Sequence, residues 1–211
     1  MPPLNEMAGR DGGPRSRWYP DADDTGVTGW AHASGWAQLY GTRRSVSCVI
    51  PAHNHLPQLR QLLPLLSDLL TECGYPWETI VVDSGSTDGT EHVLRAWCEL
   101  PGYRLLALDD DVGRASAIVL GLEAARGDAV ILLDAETPHP LSMISEMVLR
   151  WEAGSGAIYA AIDPRSGDSE LHAPGQGHSP MDASALSGLR LADDRTDLVL
   201  LDKLLVRELL R

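Results

Sequence analysis

Four short apolar runs, each followed by a stretch of helical periodicity, constrain this chain more than any other feature. The runs fall within 45–54 (SVSCVIPAHN), 78–83, 103–108 and 128–134 (DAVILLD). Each is a near-continuous series of Val, Ile, Leu and Ala, the composition of a strand buried on both faces of a sheet. Strands alternating with helices build a parallel sheet from βαβ units. An α/β fold follows, with a Rossmann-like, mostly parallel sheet and helices on both faces. Such sheets take their ligands at the carboxyl ends of the strands.

The intervening segments carry the helical signal. In 56–73, Leu59, Leu62, Leu63, Leu66 and Leu70 fall on one stripe, so this helix buries a leucine face. Pro57 suits its first turn, whereas Pro64 is expected to kink or break it. Pro51 is expected to stop the first strand. Asp88 is placed to cap a helix that begins near Thr90 and turns Val93, Leu94, Trp97 and Cys98 inward. A further helix, from about Arg114 to Arg126, holds Ala117, Gly121 and Ala125 at spacings of four, small enough for close packing on a sheet. Another runs from Pro140 to about Glu152, with Ile144, Met147, Val148 and Trp151 inward.

Both ends break this rhythm. Pro, Gly and acidic punctuation over the first 25 or so residues predicts loop or disorder. Trp30, Trp36 and Tyr40 suit either a short docked helix over 31–40 or a sticky tail. After a strand at 156–162, residues 163–195 are rich in Gly, Ser, Asp and Pro, as in an ordered loop or a mobile lid. The segment 197–211 predicts a short strand or turn and then a helix. On that helix Leu204, Leu205, Leu209 and Leu210 share one face, with Lys203, Arg207 and Arg211 along another. Sheet packing is the ordinary use of such leucines; a peripheral membrane contact is the other.

Charge excludes one class of partner. The net charge of the 211-residue chain is −13, and five Arg balance five acids over residues 1–45, so the whole excess lies in 46–211. No basic stripe is present, and such a domain repels nucleic acid. An anionic ligand needs a local exception, such as a metal ion or helix N-termini. Cys48, Cys73 and Cys98 lack metal-ligand spacing and suit buried thiols of a reducing cytoplasm. No apolar run reaches the roughly 18 residues of a membrane span, and no signal peptide is apparent.

The fourth run ends in Asp134-Ala135-Glu136. If the backbone stays extended, the two carboxylates project to the same side. Paired there, they suit Mg2+ or Mn2+ holding a diphosphate. The plainer reading is a strand end turning into solvent.

In order along the chain, these segments resemble the family-2 glycosyltransferases of GT-A fold, in particular the polyprenyl-phosphate (dolichol-phosphate mannose synthase-like) branch. Pro51-Ala52-His53-Asn54 is similar to that family's first strand end. Asp83-Ser84-Gly85-Ser86-Thr87-Asp88-Gly89-Thr90 matches a variant of its nucleoside loop, and Gly113, Ala117 and Gly121 match its small-residue helix. Ala125-Arg126-Gly127-Asp128 precedes the metal strand, which ends in Asp134-Ala135-Glu136, with Pro138 and His139-Pro140 close behind. The match covers about 45–152.

The resemblance implies that Pro51, Asn54, Asp83 and Ser84 lie near the nucleoside, and that Gly113 and Arg114 border the sugar nucleotide. It implies that Asp134 and Glu136 are the catalytic carboxylates and hold the metal. It divides the chain into a flexible or loosely docked extension over 1–44 and a glycosyltransferase-like domain over 45–211. The nucleotide-binding half of that domain is 45–152; the acceptor-side half, 153–211, is short. Three positions depart from the pattern: Ser84 and Glu136 each stand for an Asp, and Val199 for an Arg that serves a lipid phosphate. His53 stands where Tyr is frequent.

The reaction implied is metal-dependent transfer of a sugar, with inversion, from a nucleoside-diphosphate sugar to an acceptor. A hydroxyl acceptor needs a general base, and beyond Glu136 only scattered acids such as Asp163, Asp168, Asp193 and Asp194 are on offer. A polyprenyl phosphate is already an oxyanion and needs none. The expected setting is the cytoplasm, or the inner face of the membrane reached peripherally or through a membrane-bound partner, in cell-envelope or glycan biosynthesis. The rival, from another class, is a catalytically degenerate domain that binds sugar nucleotides or acts as a scaffold.

Overall fold

The computed structural model describes residues 6–7, 16–19, 44–136, 140–162, 169–173 and 198–211. In chain order the strands are β1 (Glu6–Met7), β2 (Ser16–Tyr19), β3 (Val46–Ala52), β4 (Trp77–Ser84), β5 (Tyr103–Leu108), β6 (Ala129–Leu133), β7 (Ala157–Ile162), β8 (Ser169–His172) and β9 (Leu198–Asp202). The helices are α1 (Leu56–Cys73), α2 (Thr90–Trp97), α3 (Gly113–Ala124), α4 (Met143–Glu152) and α5 (Lys203–Leu209).

These strands form one sheet in the order β1-β2-β5-β4-β3-β6-β9-β7-β8. Its centre, β5-β4-β3-β6, is parallel, as the alternation of runs and helices predicts. β9 and then β7 and β8 add antiparallel strands on one flank. On the other flank β2 pairs antiparallel with β5, Trp18 opposite Leu106.

Helices cover both faces. Leu59, Leu63 and Leu66 of α1, Leu94 of α2, and Ile144, Met147 and Trp151 of α4 pack on one side with Cys48, Ile50 and Ile131. Ala117, Ile118 and Leu122 of α3 pack on the other with Val49, Val82 and Leu132, beside Leu205 and Val206 of α5. Gly121 makes the α3 contact close: a Cβ there would lie 2.3 Å from Val49 Cγ1.

Several local expectations give way to tertiary context. α1 runs unbroken through Pro64, which lies on its exposed side. The Arg60 carbonyl that Pro64 cannot serve belongs to an exposed residue, where water can replace the lost donor. β3 continues through Pro51 to Ala52, beyond its last pair with β6, Val49 opposite Leu132, so that flank demands no further donor. Two pieces of the N-terminal segment expected to be loop are strands. β2 is clasped by side chains: Arg17 Nη2 donates to Glu91 Oε2 at 3.1 Å, Arg17 Nη1 lies 2.6 Å from Asp109 Oδ1, and Tyr19 Oη donates to Glu91 Oε1 at 2.9 Å. Within 163–195, β8 is a strand paired with β7. Apart from Ala173, the rest of that segment lies outside the described residues, as do Trp30, Trp36, Tyr40, Pro138, His139, Asp163, Asp168, Asp193 and Asp194.

At the amino ends of the parallel strands, the segment 125–128 is tied down by buried polar contacts. Glu78 Oε1 accepts from Ser47 Oγ at 2.6 Å and from the Arg126 amide at 2.7 Å, while its Oε2 pairs with Arg104 Nη1 at 2.7 Å. Ser47 Oγ also accepts from the Gly127 amide, and Asp128 Oδ2 from the amide and hydroxyl of Ser45. The Trp18 ring covers the Arg104 guanidinium at 4.8 Å. Ala125-Arg126-Gly127-Asp128 is thus a structural clamp at the end of the sheet opposite the carboxylate pair.

A candidate sugar-nucleotide site at the carboxyl edge

The carboxyl ends of β3, β4, β5 and β6 bring the sequence-nominated residues together through chains of hydrogen bonds. After β3, Asn54 adopts φ +58°, a left-handed conformation that Asn tolerates better than most residues. The bend lets Asn54 Oδ1 accept from the Thr87 amide at 2.8 Å, while the Asn54 amide donates to Ser86 Oγ at 2.8 Å. His53 Nδ1 donates to the Ser84 carbonyl at 2.6 Å, which leaves Nε2 to accept from Asn54 Nδ2 at 3.0 Å. The loop that follows β3 therefore fixes the loop that follows β4.

Asp88 serves as a cap, as its position suggested, and for two helices. Its Oδ1 accepts from the Thr90 amide at the start of α2, and its Oδ2 from the Leu56 amide at the start of α1, both at 3.0 Å. Burial alone would raise its pKa, but the bonds from the Thr90 hydroxyl and the two amides outweigh it and hold the carboxyl below the usual range.

Asp83 is different. It is the last residue of β4 paired with β3, opposite Ala52, and faces Ala107 of β5; it is only 2% exposed, and its Oδ1 has no hydrogen-bond partner. Burial raises its pKa, with Ser86 contacts opposing and the charges of Glu91 and Asp88 adding to the rise. A buried carboxylate oxygen left unpaired is costly unless a ligand supplies the donor.

Beside it, Ser84 Oγ donates to Asp111 Oδ1 at 3.0 Å and accepts from the Val112 amide at 2.8 Å. The Gly113 amide also donates to Asp111 Oδ1, at 2.9 Å. That amide, then the Ser84 hydroxyl, lowers the Asp111 pKa. A carboxylate thus stands next to position 84 although the residue there is Ser. Gly85, at φ +65°, permits this approach, since a Cβ there would meet the Asp110 carbonyl carbon at 2.7 Å. Asp111 was legible only as one of three consecutive acids; its spacing of two from Gly113 is the turn signal that identifies it.

The Asp134/Glu136 pair does not have the geometry that an extended backbone predicts. β6 ends at Leu133 and the chain turns at 135–136, with Asp134 Oδ1 accepting from the Glu136 amide at 3.1 Å. The two carboxylates consequently engage different neighbours. Asp134 Oδ2 accepts from Arg114 Nε at 3.0 Å, across from the first turn of α3. Glu136, exposed, accepts from Gln58 Nε2 at 3.4 Å and lies 3.7 Å from His55 Nε2. Periodicity gave no sign of Gln58 or His55 as site residues, because their roles depend on where α1 starts relative to the β6 turn.

The donor chemistry fits a hard divalent cation. Mg2+ and Mn2+ bind through one or two carboxylates and complete their shell with water and substrate phosphates. Among the described residues no group of three or more His, Cys, Asp or Glu assembles into a self-sufficient cage. The two-carboxylate set suits a cation that arrives with a diphosphate.

Val199 lies wholly inside the second core, opposite Leu132 and Tyr159. On α5, Leu205 and Val206 are buried and Leu209 and Leu210 pack against the core, while Leu204 is 68% exposed. Most of the apolar face of that helix is used on the sheet.

The sequence model of glycosyl transferase family 2 matches residues 47–204. A curated relative, the undecaprenyl-phosphate 4-deoxy-4-formamido-L-arabinose transferase of Edwardsiella ictaluri, is 35% identical over 121 residues, covering 56% of this chain and 37% of that protein. The enzyme of the same name from Pseudomonas aeruginosa is 37% identical over 115 residues, 54% of this chain and 34% of its own. The chain thus spans little more than a third of the length of these relatives. Among solved structures, a mannosyltransferase from Pyrobaculum calidifontis in complex with GDP-Man and Mn2+ superposes with a TM-score of 0.56 at 24% identity, covering 85% of this chain and 52% of that one. Glucosyl-3-phosphoglycerate synthase from Mycobacterium tuberculosis, in complex with Mn2+, UDP and phosphoglyceric acid, gives 0.51 at 22% identity, over 82% and 60%. These likenesses show the GT-A fold.

Proposed function

Since the chain belongs to glycosyl transferase family 2, we propose that it moves a sugar, with inversion, from a nucleoside-diphosphate sugar to a polyprenyl phosphate. The observation that carries the donor reading is Asp83: a buried carboxylate at a strand end whose free oxygen suits a nucleobase N–H. Asn54, Ser84 and Asp111 hold the loops around it, and Pro51, one residue before the end of β3, lies opposite Val82. Gly113 and Arg114, at the start of α3, would place a helix N-terminus and a cation near the diphosphate.

In the reaction, the acceptor oxygen forms a bond to the anomeric carbon as the bond to the diphosphate oxygen breaks on the opposite face. Asp134 and Glu136 would hold Mg2+ or Mn2+, which supplies charge neutralisation on the departing diphosphate. A phosphate acceptor attacks as an oxyanion, so no general base is required of this chain. The undecaprenyl-phosphate transferases among its relatives support a lipid-linked acceptor.

Among the described residues no helix is long and apolar enough to cross a membrane. With α5 largely committed to the sheet, the reading is a domain that meets its acceptor peripherally, at the inner face of the membrane or on a membrane-bound partner. The test is transfer of labelled sugar from UDP- and GDP-sugars to undecaprenyl phosphate in detergent with Mn2+. Product that requires both lipid and metal supports the proposal. Metal-dependent nucleotide binding without transfer to any acceptor would instead favour the degenerate, sugar-nucleotide-binding domain.

A further inference from the structure

Both oxygens of Asp134 are engaged before any ligand arrives. Oδ1 takes the Glu136 amide, and Oδ2 takes Arg114 Nε at 3.0 Å, a pair whose side chains are only about a quarter or less exposed, at 26% and 20%. The guanidinium therefore stands on the carboxylate that the proposed function assigns to the cation. A lone divalent ion approaching Asp134 meets a positive charge already bonded there. A diphosphate changes the balance, because its oxygens can accept from Arg114 and coordinate the ion together.

We propose that Arg114 is an internal counter-cation that occupies Asp134 in the unliganded protein and transfers to the diphosphate when nucleotide and metal enter, so that the two bind as a coupled pair. The inference rests on the proposed metal role of Asp134 and concerns the order and coupling of binding. Arg114 lies in the first turn of α3 and reaches across to Asp134 at the turn after β6. Glu136 is not involved in this pair; its contacts are to Gln58 and His55. Coupling is reciprocal: metal should tighten nucleotide by the factor by which nucleotide tightens metal.

Mn2+ electron paramagnetic resonance and calorimetry on wild type, Arg114→Gln, Arg114→Lys and Asp134→Ala test this, with UDP and GDP as nucleotide probes. Arg114→Gln should bind Mn2+ without nucleotide roughly fivefold tighter than wild type, since a partly exposed charged pair no longer competes. At saturating Mn2+ it should bind the nucleoside diphosphate more weakly, and the mutual enhancement should shrink, with Arg114→Lys between. A merely structural arginine would not tighten metal. Unchanged or weaker bare-metal binding in a folded Arg114→Gln, with Mn2+-dependent nucleotide binding intact in wild type, overturns the counter-cation role alone. If wild type and Asp134→Ala are alike in Mn2+ binding and in nucleotide binding, the metal assignment falls and this proposal falls with it.

Discussion

Asp83→Asn should move binding and stability in opposite directions. In the folded protein the carboxyl is 2% exposed and one of its oxygens is unpaired. A buried polar atom without a partner costs about 1–3 kcal/mol, and more when charged. Asparagine is isosteric and neutral, so at pH 7 the variant should be more stable by about 1 kcal/mol. The sign with pH follows from a folded pKa raised above the ordinary 3.8. Wild type has the full stabilising contribution of this group below 3.8 and loses it as pH rises through the raised folded value. The variant has no such slope, so the gap between the two should narrow on acidification. Binding goes the other way. A hydrogen bond to a charged acceptor contributes about 1.5–3 kcal/mol, so UDP or GDP affinity at saturating Mn2+ should fall roughly 10- to 100-fold. Calorimetry and urea denaturation at pH 5 and pH 7 give both quantities. Nucleotide affinity within a factor of two of wild type, or a variant less stable at pH 7, would refute the assignment of Asp83 as a nucleobase acceptor.

Asp134→Ala should abolish the Mn2+ enhancement of nucleotide binding, and Glu136→Asp should preserve or raise it; equal affinity in EDTA and Mn2+ for wild type would remove the metal from the site. Glu78→Ala strands the buried Arg104 guanidinium and two further donors, so urea denaturation should register a loss of about 3–5 kcal/mol. Nucleotide affinity of the folded fraction should not change, because the clamp lies at the other end of the strands. Asp88→Ala removes caps from two helices at once and should cost about 2 kcal/mol; a loss confined to nucleotide binding would identify it as a ligand instead.

The parallel half of the sheet was legible because burial on two faces leaves continuous apolar runs, and α1 and α4 announce their inner faces through their period. On α5, by contrast, Leu204, expected on the inner face, is exposed and Val206 is buried instead. The leucines predicted on α1 are the ones buried there. What escaped prediction is non-local. Ser16–Tyr19 is too short and polar to announce a strand; it becomes one because Arg17 finds Glu91 and Asp109, more than seventy residues away. Pro64 obeys a local rule that solvent relaxes. Asp134 and Glu136 were identified as residue types, but their separation depends on an amide that turns back onto Asp134, and alternation along a strand cannot encode that. Asp83 was found as a strand-end acid, yet its unpaired oxygen is a property of packing.

β9 has a consequence for how the chain is made. It lies between β6 and β7, although β7 and β8 precede it along the chain. β3 to β6 can pair as they emerge from a ribosome, since each partner is already present or arrives after one helix. The β7–β8 hairpin must wait, because the strand that joins it to the rest leaves the ribosome after it. Until Asp202 has been synthesised, β6 and β7 each present an apolar edge without a neighbour, the kind of surface that pairs with other chains. Closing this gap is a long-range event, slow relative to the local βα steps before it. Nascent chains arrested before residue 198 should therefore be protease-resistant over 45–152, yet depend on chaperones to stay apart.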